Sequence, residues 1–286
     1  MKAEQQSLVF LHLSVLLFGG TALFAKLIGL PALDITAYRA GVASVILFTL
    51  LILSKKTIRL NNRKDYGVAI VLGVVVGIHW VTYFAGMQKA GVTVGVIAFF
   101  TYPVITVFLE PLFKKTRPKL KDMLSASIVM LGIYLLIPEA SLGNQVTIGI
   151  IIGIVSAFFF ALRNILHKTY FSQYSGPQTM MYQTLVASLM LCLFVEVPPS
   201  QVSEQDWWLI ILVGVVFTAL PHSLFAASLR HLSATTAGLI SCLQPLYGSV
   251  FAFILLVERP NPMVIIGGLL VISAAFFETW SVTRRK

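Results

Sequence analysis

The chain has 286 residues, of which 57% are hydrophobic and only 11% are charged. A soluble domain carries roughly 25% charged residues, so most of this surface must face lipid rather than water. The formal net charge of +10 would suit a nucleic-acid partner, but the cations lie in short segments between apolar runs, which argues against one. Cys192 and Cys242 both lie inside apolar runs and provide neither a disulfide framework nor a metal cluster.

Ten apolar runs follow one another along the chain. A helix needs about 20 apolar residues to cross a bilayer, and the candidate spans are residues 8–29, 35–53, 67–87, 93–113, 123–138, 147–166, 178–197, 207–229, 235–257 and 263–282. The first run is longer than the roughly 7–15 apolar residues of a secretory signal. The runs are continuous and lack the alternation of barrel strands. They predict an all-α membrane protein with ten transmembrane helices.

The positions of Lys and Arg predict the orientation, because cytoplasmic loops are enriched in cations. With the amino terminus inside, the basic segments at residues 55–64, 114–121 and 284–286 all face the cytoplasm. Together with Lys2, Arg163, Lys168 and Arg230, this places 17 of the 21 cations inside. We therefore expect a multi-pass protein of the cell inner membrane with both termini in the cytoplasm.

The two halves of the chain resemble each other at an offset of about 142 residues. Pro103 and Pro245 each lie mid-span and are followed by an Arg-Pro pair, and Tyr38-Arg39 aligns with Tyr182-Gln183. This predicts two repeats, residues 1–142 and 143–286, with five spans each. Because five is odd, the second repeat enters the membrane from the opposite side. Inverted repeats are typical of alternating-access transporters.

The ten spans, the 5+5 halves and the mid-helix Pro245 followed by Glu258-Arg259 resemble the EamA-like family of the drug/metabolite transporter superfamily. The first half departs from this pattern, since Thr116 stands where the second has Glu258. The resemblance implies a substrate cavity between the halves, no obligatory cofactor, and frequently export of amino acids or related metabolites.

Polar and aromatic side chains cluster near the middle of counterpart spans. His79, Trp80 and Tyr83 lie on one face of the third span, because residues three and four apart are neighbours on a helix. His222 lies at a similar position in the eighth span. Each histidine could simply bond a neighbouring backbone group, or it could bind substrate or carry a proton. The predicted substrate site comprises His79, Trp80, Tyr83, Tyr102, His222, Gln244 and Tyr247.

Proline residues mark predicted helix kinks. Pro103 and Pro245 each remove one helix hydrogen bond and free a carbonyl one turn earlier, and Pro221 precedes His222. These kinks serve packing alone, or they mark the ligand site and a hinge. Tyr182 and Gln183 are weaker site candidates.

Ionisable residues inside spans are unfavourable unless they are paired or solvated. Lys26 and Arg39 lie near the outer ends of the first two spans. They either snorkel to the headgroups, with Asp34 as a partner, or form an outer-vestibule cation pair that receives a carboxylate. Glu110 precedes Lys114 by four residues, which predicts a surface ion pair, and Glu278 is predicted to be interfacial.

The sequence contains none of the metalloprotease, serine-hydrolase or phosphate-loop motifs, and nothing in it suggests the rings of pore residues of a channel. We therefore expect a secondary transporter rather than an enzyme, a channel or a receptor. The expected substrate is a small amphipathic molecule such as an amino acid. A vitamin, a nucleotide-like compound or another anionic metabolite is the alternative. A proton or other coupling ion and a monomeric or dimeric state are further expectations, and no cofactor or metal is predicted.

Overall fold

A computed structural model describes residues 3–135 and 144–256, with single positions from 266 to 280. All regular structure in these parts of the chain is helical. The α-helices are α1 (Ala3–Thr21), α2 (Phe24–Leu27), α3 (Ala32–Leu53), α4 (Arg63–Ala90), α5 (Val92–Phe99), α6 (Tyr102–Lys114), α7 (Leu120–Leu135), α8 (Asn144–Tyr170), α9 (Gly176–Leu191), α10 (Glu204–Gly214), α11 (Leu220–Ser228), α12 (Ala234–Ser241) and α13 (Gln244–Leu256).

Six helical segments among the described residues are long and apolar enough to cross a membrane. They are Ala3–Leu27, Ala32–Leu53, Arg63–Ala90, Gly95–Lys114, Thr147–Tyr170 and Glu204–Ser228. Each corresponds to one predicted span. The predicted spans at residues 123–138, 178–197 and 235–257 correspond to α7, to α9, and to α12 with α13. The tenth predicted span falls largely outside the described residues.

The seventh span is shorter than the sequence suggested. Its α-helix ends at Leu191, a 3₁₀ turn follows over Cys192–Phe194, and Val195 is extended. The carboxylate of Asp34 accepts hydrogen bonds from the backbone N–H groups of Glu196 (3.1 Å) and Val197 (2.8 Å). These bonds satisfy two backbone N–H donors in the irregular segment that follows the helix.

The two mid-span prolines coincide with breaks between helices. The fourth span is divided into α5 and α6, and Pro103 lies in the first turn of α6. The ninth span is divided into α12 and α13, and Pro245 is the second residue of α13. Proline fits the first turn of a helix because its missing N–H would have no partner there. At each predicted kink the α-helix gives way to a two-residue turn, over residues 100–101 before α6 and over residues 242–243 before α13.

Pro221 lies beside a third irregularity. The segment Val215–Ala219, between α10 and α11, is a π-helix, and Pro221 follows in the first turn of α11. Pro221 cannot donate to the carbonyl of Phe217, four residues earlier. That carbonyl accepts a hydrogen bond from the hydroxyl of Thr21 instead, at 3.4 Å. Single π turns of this kind are frequent at functional sites.

Helices of the two halves pack directly against each other, α4 on α8 and α3 on α9. Glycine permits close approach at Gly73 and Gly77, where an added Cβ would lie 2.4 Å from Val186 Cβ and 2.9 Å from Met190 Cε. An added Cβ on Gly67 would meet nothing within 4 Å. Large apolar side chains such as Leu53 face outward, with 77% of the residue exposed. Such a surface suits lipid.

Candidate functional site

A cavity lies inside the bundle, between helices of both halves of the chain. About 30 Å³ is open to the centres of water molecules, which is room for roughly two or three waters. Its walls come from α1, α3, α4, α5, α8, α11 and α13. The lining residues are Phe18, Thr21, Arg39, His79, Trp80, Tyr83, Phe99, Phe160, His222 and Gln244.

Arg39 provides the positive charge of this cavity. It is fully buried, and its Nη1 donates to Thr218 Oγ1 at 3.0 Å, in the π-helical segment. Its Nε and Nη2 have no hydrogen-bond partner among the described residues. The guanidinium carbon lies 4.6 Å from the ring centroid of Trp80 and 4.7 Å from that of Phe84. The guanidinium is therefore held by aromatic rings while part of its hydrogen-bonding capacity is unused.

The expected pairing of Arg39 with Asp34 is wrong. Asp34 is fully buried and directs both carboxylate oxygens to backbone N–H groups after α9. No carboxylate among the described residues forms an ion pair with Arg39. Snorkelling of Arg39 to the headgroups is also wrong, because the residue is 0% exposed. Arg39 belongs to the cavity rather than to an outer vestibule.

Lys26 is separate from Arg39. It lies on the short helix α2 and is exposed. The two cations therefore do not form the predicted pair at an outer entrance. An exposed position near the end of a span fits the snorkelling alternative for Lys26 alone.

His79 is fixed by Ser156 of α8. Its Nδ1 lies 2.8 Å from Ser156 Oγ and 3.2 Å from the Ser156 carbonyl oxygen. The Ser156 hydroxyl donates its single proton to the His79 carbonyl, at 3.0 Å. Both serine oxygens must therefore accept from Nδ1, which assigns the proton of a neutral ring to Nδ1. Nε2 is then the acceptor that His79 retains for other contacts.

His222 lies between two aromatic rings. Its ring centroid is 4.5 Å from that of Phe18 and 4.9 Å from that of Trp80. Its Nδ1 is buried and has no hydrogen-bond partner in the described structure, and the same is true of Trp80 Nε1. Two polar nitrogens from different halves of the chain thus lie unsatisfied in one cavity, where a polar ligand could satisfy them.

Gln244 links helix α13 to helix α1 beside the cavity. Its Nε2 donates to the Phe18 carbonyl at 3.2 Å, across from α13 to α1. Its side chain also lies beside the Tyr83 hydroxyl. The side-chain oxygen of Gln244 is an acceptor that can take a hydrogen bond from a ligand donor.

Tyr102 and Tyr247 do not line the cavity. Tyr102 is buried behind it, with its ring 4.9 Å from Phe99 and 4.8 Å from Phe160, and its hydroxyl donates to the Gly238 carbonyl at 3.3 Å. Tyr247 packs against Gly19. Both positions were expected to contact substrate. Tyr102 instead supports the aromatic wall, and Tyr247 brings α13 close to α1.

Four lining residues were not identified from the sequence. They are Phe18, Thr21, Phe99 and Phe160. Phenylalanine occurs in this chain both on the outer surface, as at Phe48 and Phe108, and in the interior, and a single threonine gives no signal in an apolar run. Only the packing of the helices distinguishes these positions.

Glu110 has a second role besides its ion pair. Its carboxylate lies 2.7 Å from Lys114 Nζ, which confirms the predicted pair. Glu110 is, however, only 4% exposed. It accepts hydrogen bonds from the backbone N–H groups of Ala234 (3.2 Å) and Thr235 (2.7 Å), at the start of α12. The pair is therefore not a surface feature, since Glu110 caps a helix of the other half. Glu278 lies outside the described residues.

Comparison with known proteins is consistent with this architecture. The sequence profile of the EamA-like transporter family matches residues 5–137 and 147–280. The chain is 26% identical over 288 residues to the threonine/homoserine exporter RhtA of Escherichia coli strain K12, covering 97% of this chain and 92% of that protein. It is 23% identical over 265 residues to the uncharacterized transporter YxxF of Bacillus subtilis strain 168, covering 91% and 85%.

The structure superposes on a solved crystal structure of another protein with a TM-score of 0.79 and 13% sequence identity. The superposition covers 98% of each chain. At this identity the likeness shows a shared fold. The family match extends over both halves of the sequence, and the described helices include six able to cross a bilayer. The chain is therefore a multi-pass membrane protein that belongs to the EamA-like transporter family.

Proposed function

We propose that this protein is a secondary active transporter that exports an amino acid or a related small amphipathic carboxylate by alternating access. The ten spans form two inverted five-helix repeats, and the substrate binds in the cavity between them. The family membership supports the transporter class. The repeat is supported by the two separate segments, residues 5–137 and 147–280, that match the same family.

The observation that carries the substrate class is the guanidinium of Arg39. It is fully buried, has two nitrogens without a partner, and pairs with no carboxylate in the described part of the chain. Isolated charges are strongly unfavourable in a buried site. A substrate carboxylate would neutralise this charge and accept from both free nitrogens.

The rest of the lining suits an amphipathic molecule. Phe18, Phe99 and Phe160 offer apolar surface beside the carboxylate site. His79 and Gln244 offer acceptors for an amino or hydroxyl group on the same substrate. A ligand pocket of this kind combines apolar walls with a few placed polar groups.

Contacts between the two halves are present at both ends of the bundle. At one end Asp34 of α3 binds the Val197 backbone, and at the other Glu110 of α6 binds the start of α12 at Thr235. With both closures formed, the cavity holds only about two or three waters, so the substrate binds after one closure opens and the cavity widens. In the proposed cycle one closure opens while the other stays formed.

The named relative supports amino acids and the export direction. RhtA is a threonine/homoserine exporter, and an amino acid has the carboxylate that Arg39 requires. Import or exchange of a vitamin, a nucleotide-like compound or another anionic metabolite is the second candidate, because the same guanidinium would bind any such anion. The proposal includes coupling to a proton or another ion, and a monomeric or dimeric protein.

In the proposed orientation, the protein lies in the cell inner membrane and both of its termini are in the cytoplasm. Arg163 must be removed from the cytoplasmic cations because it is fully buried in α8. The basic segments at residues 55–64 and 114–121 still favour this orientation. A reporter enzyme that works only in the cytoplasm should be active when it is fused after Lys286. A phosphatase that works only in the periplasm should be inactive at the same position. The reverse pattern would contradict the proposal.

Counterflow of radiolabelled L-threonine into proteoliposomes tests the function. Arg39→Gln should raise the half-saturation concentration by tenfold to a hundredfold, because losing hydrogen bonds to a charged group is worth about 1.5–3 kcal/mol. Arg39→Lys should retain part of the affinity. Lys26→Gln removes an exposed cation and is the matched control, with an expected change below about twofold.

Two results would contradict the proposal. The first is wild-type half-saturation in Arg39→Gln. The second is absence of saturable counterflow for L-threonine and for a panel of other amino acids. Saturable exchange of a nucleotide or an anionic vitamin in that panel would favour the second candidate.

A further inference from the structure

A second arginine is buried in the bundle, away from the cavity lining. Arg163 of α8 is 0% exposed. Its Nε donates to Gln183 Oε1 at 2.8 Å, its Nη1 to Asn164 Oδ1 at 3.1 Å, and its Nη2 to Met180 Sδ at 2.9 Å. All three acceptors are electrically neutral, so the guanidinium charge has no counter-charge among its hydrogen-bond partners.

The hydrogen bonding around Arg163 is incomplete. A guanidinium has five N–H donors, and the described residues provide three acceptors for them. The amide nitrogens Asn164 Nδ2 and Gln183 Nε2 are also buried without a partner. The cluster therefore has an excess of unsatisfied donors around one positive charge. An anion is the ligand that satisfies both deficits at once, because it supplies acceptors and neutralises the charge.

In the proposed orientation, Arg163 lies closer to the cytoplasm than the cavity histidine His79 does. His79 bonds Ser156, and Arg163 is seven residues further along α8, roughly 10 Å at 1.5 Å per residue. Arg39, in contrast, lies seven residues after the start of α3. In the proposed orientation Arg39 is on the outer side and Arg163 on the cytoplasmic side. Both arginines are within electrostatic range of His79 and His222.

The proposed repeat relates the two sites. Gln183 is the residue that aligns with Arg39 when the halves are compared, and it lies 2.8 Å from the guanidinium of Arg163. An inverted repeat turns an outer position of the first half into an inner position of the second. In the first half, the positive charge at this position belongs to Arg39 itself. In the second half, the aligned residue Gln183 is neutral, and the positive charge comes from its neighbour Arg163.

We propose that Arg163, Asn164 and Gln183 form a second anion-binding subsite, on the cytoplasmic side of the Arg39 cavity, that takes a carboxylate. Its place on a substrate path rests on the proposed function, whereas binding of an anion there does not. A carboxylate entering from the cytoplasm would meet Arg163 first and Arg39 second. Neither charge would then have to be exposed to lipid during the transfer.

Thermal unfolding of the purified, detergent-solubilised protein tests the subsite with acetate as the probe. Acetamide, which has the same shape without the charge, gives the reference. A ligand that binds only the folded protein raises the unfolding midpoint. We expect an acetate-specific shift in the wild type, loss of about half of it in Arg163→Gln, and near-complete loss in the double variant with Arg39→Gln.

Gln183→Glu provides an independent variant that does not remove the arginine. It places a carboxylate at the position of an amide oxygen that already lies 2.8 Å from Arg163 Nε. We expect a higher midpoint without ligand, because the internal carboxylate replaces the missing anion. We also expect the acetate-specific shift to fall to the level of Arg163→Gln.

Several results would overturn the subsite. They are no acetate-specific shift in the wild type, a full shift in Arg163→Gln, a lower ligand-free midpoint in Gln183→Glu, or complete loss of the shift in Arg39→Gln alone. Failure of the proposed function is distinguishable from these. If Arg39→Gln keeps the whole shift and Arg163→Gln loses it, the subsite stands and the carboxylate site at Arg39 is wrong.

Discussion

The guanidinium of Arg39 lies 4.6 Å from the centroid of the Trp80 ring. The sequence placed Trp80 in the predicted substrate site, and in the structure one face of its ring is occupied by this cation. A cation–π contact out of water is worth about 2 kcal/mol. Trp80 therefore acts on a carboxylate through Arg39, by holding the guanidinium in the cavity.

Replacing Trp80 should weaken substrate binding without removing the charge. We expect Trp80→Leu to raise the half-saturation concentration about tenfold or more in counterflow, and Trp80→Phe to give a smaller increase, because phenylalanine keeps a weaker aromatic face. Trp208→Leu is the control, since Trp208 is 65% exposed on α10. Unchanged half-saturation in Trp80→Leu would show that the ring does not position Arg39.

Gln244 and Tyr102 were both predicted to contact substrate, but their positions predict effects of different size on the half-saturation concentration. Gln244→Ala removes a lining amide that bonds the Phe18 carbonyl, and should raise half-saturation tenfold to a hundredfold, since a lost buried hydrogen bond is worth about 1–3 kcal/mol. Tyr102→Phe removes a hydroxyl that faces Gly238 rather than the cavity, and should change it less than about twofold. Equal effects in counterflow would contradict this assignment.

The cap that Glu110 provides for α12 should matter more for stability than its ion pair. Glu110→Gln removes the charge that accepts from Ala234 and Thr235, and should lower the free energy of unfolding by about 1.5–3 kcal/mol. Lys114→Gln leaves the cap intact and removes a partner whose side chain is 49% exposed, so the loss should stay below about 1 kcal/mol. Thermal or denaturant unfolding in detergent measures both. Equal losses would show that the ion pair is the larger contribution.

Two glycines of α4 should respond differently to alanine. Gly73→Ala places a Cβ 2.4 Å from Val186 Cβ and 3.2 Å from the Gln183 carbonyl, so α4 and α9 must separate, at about 1–3 kcal/mol. Gly67→Ala meets nothing within 4 Å and should be neutral or stabilising by up to about 1 kcal/mol, because alanine favours the helix. Unfolding midpoints compare the two variants. A midpoint in Gly73→Ala as high as in Gly67→Ala would contradict the close packing of these helices.

The sequence by itself determined the helical class and most of the element positions. Apolar runs as long as a bilayer is thick leave the backbone few alternatives to helices, because its polar groups must pair within the segment. It also indicated that His79, Trp80, Tyr83, His222 and Gln244 lie near one another, since the residues are polar or aromatic and occupy counterpart spans.

Only the tertiary structure decided which polar residues meet and which are already satisfied. Arg39 and Asp34 are five residues apart, yet Asp34 binds the backbone after α9 while Arg39 enters the cavity. By sequence alone, Arg163 counts among the cytoplasmic cations, since it lies near the end of the sixth predicted span. Its burial depends on how α8 packs on α4, and two of its acceptors, Gln183 and Met180, lie on α9. Which side chains become partners depends on how helices that are distant in the sequence pack together. The pattern of residues along the chain does not specify that packing.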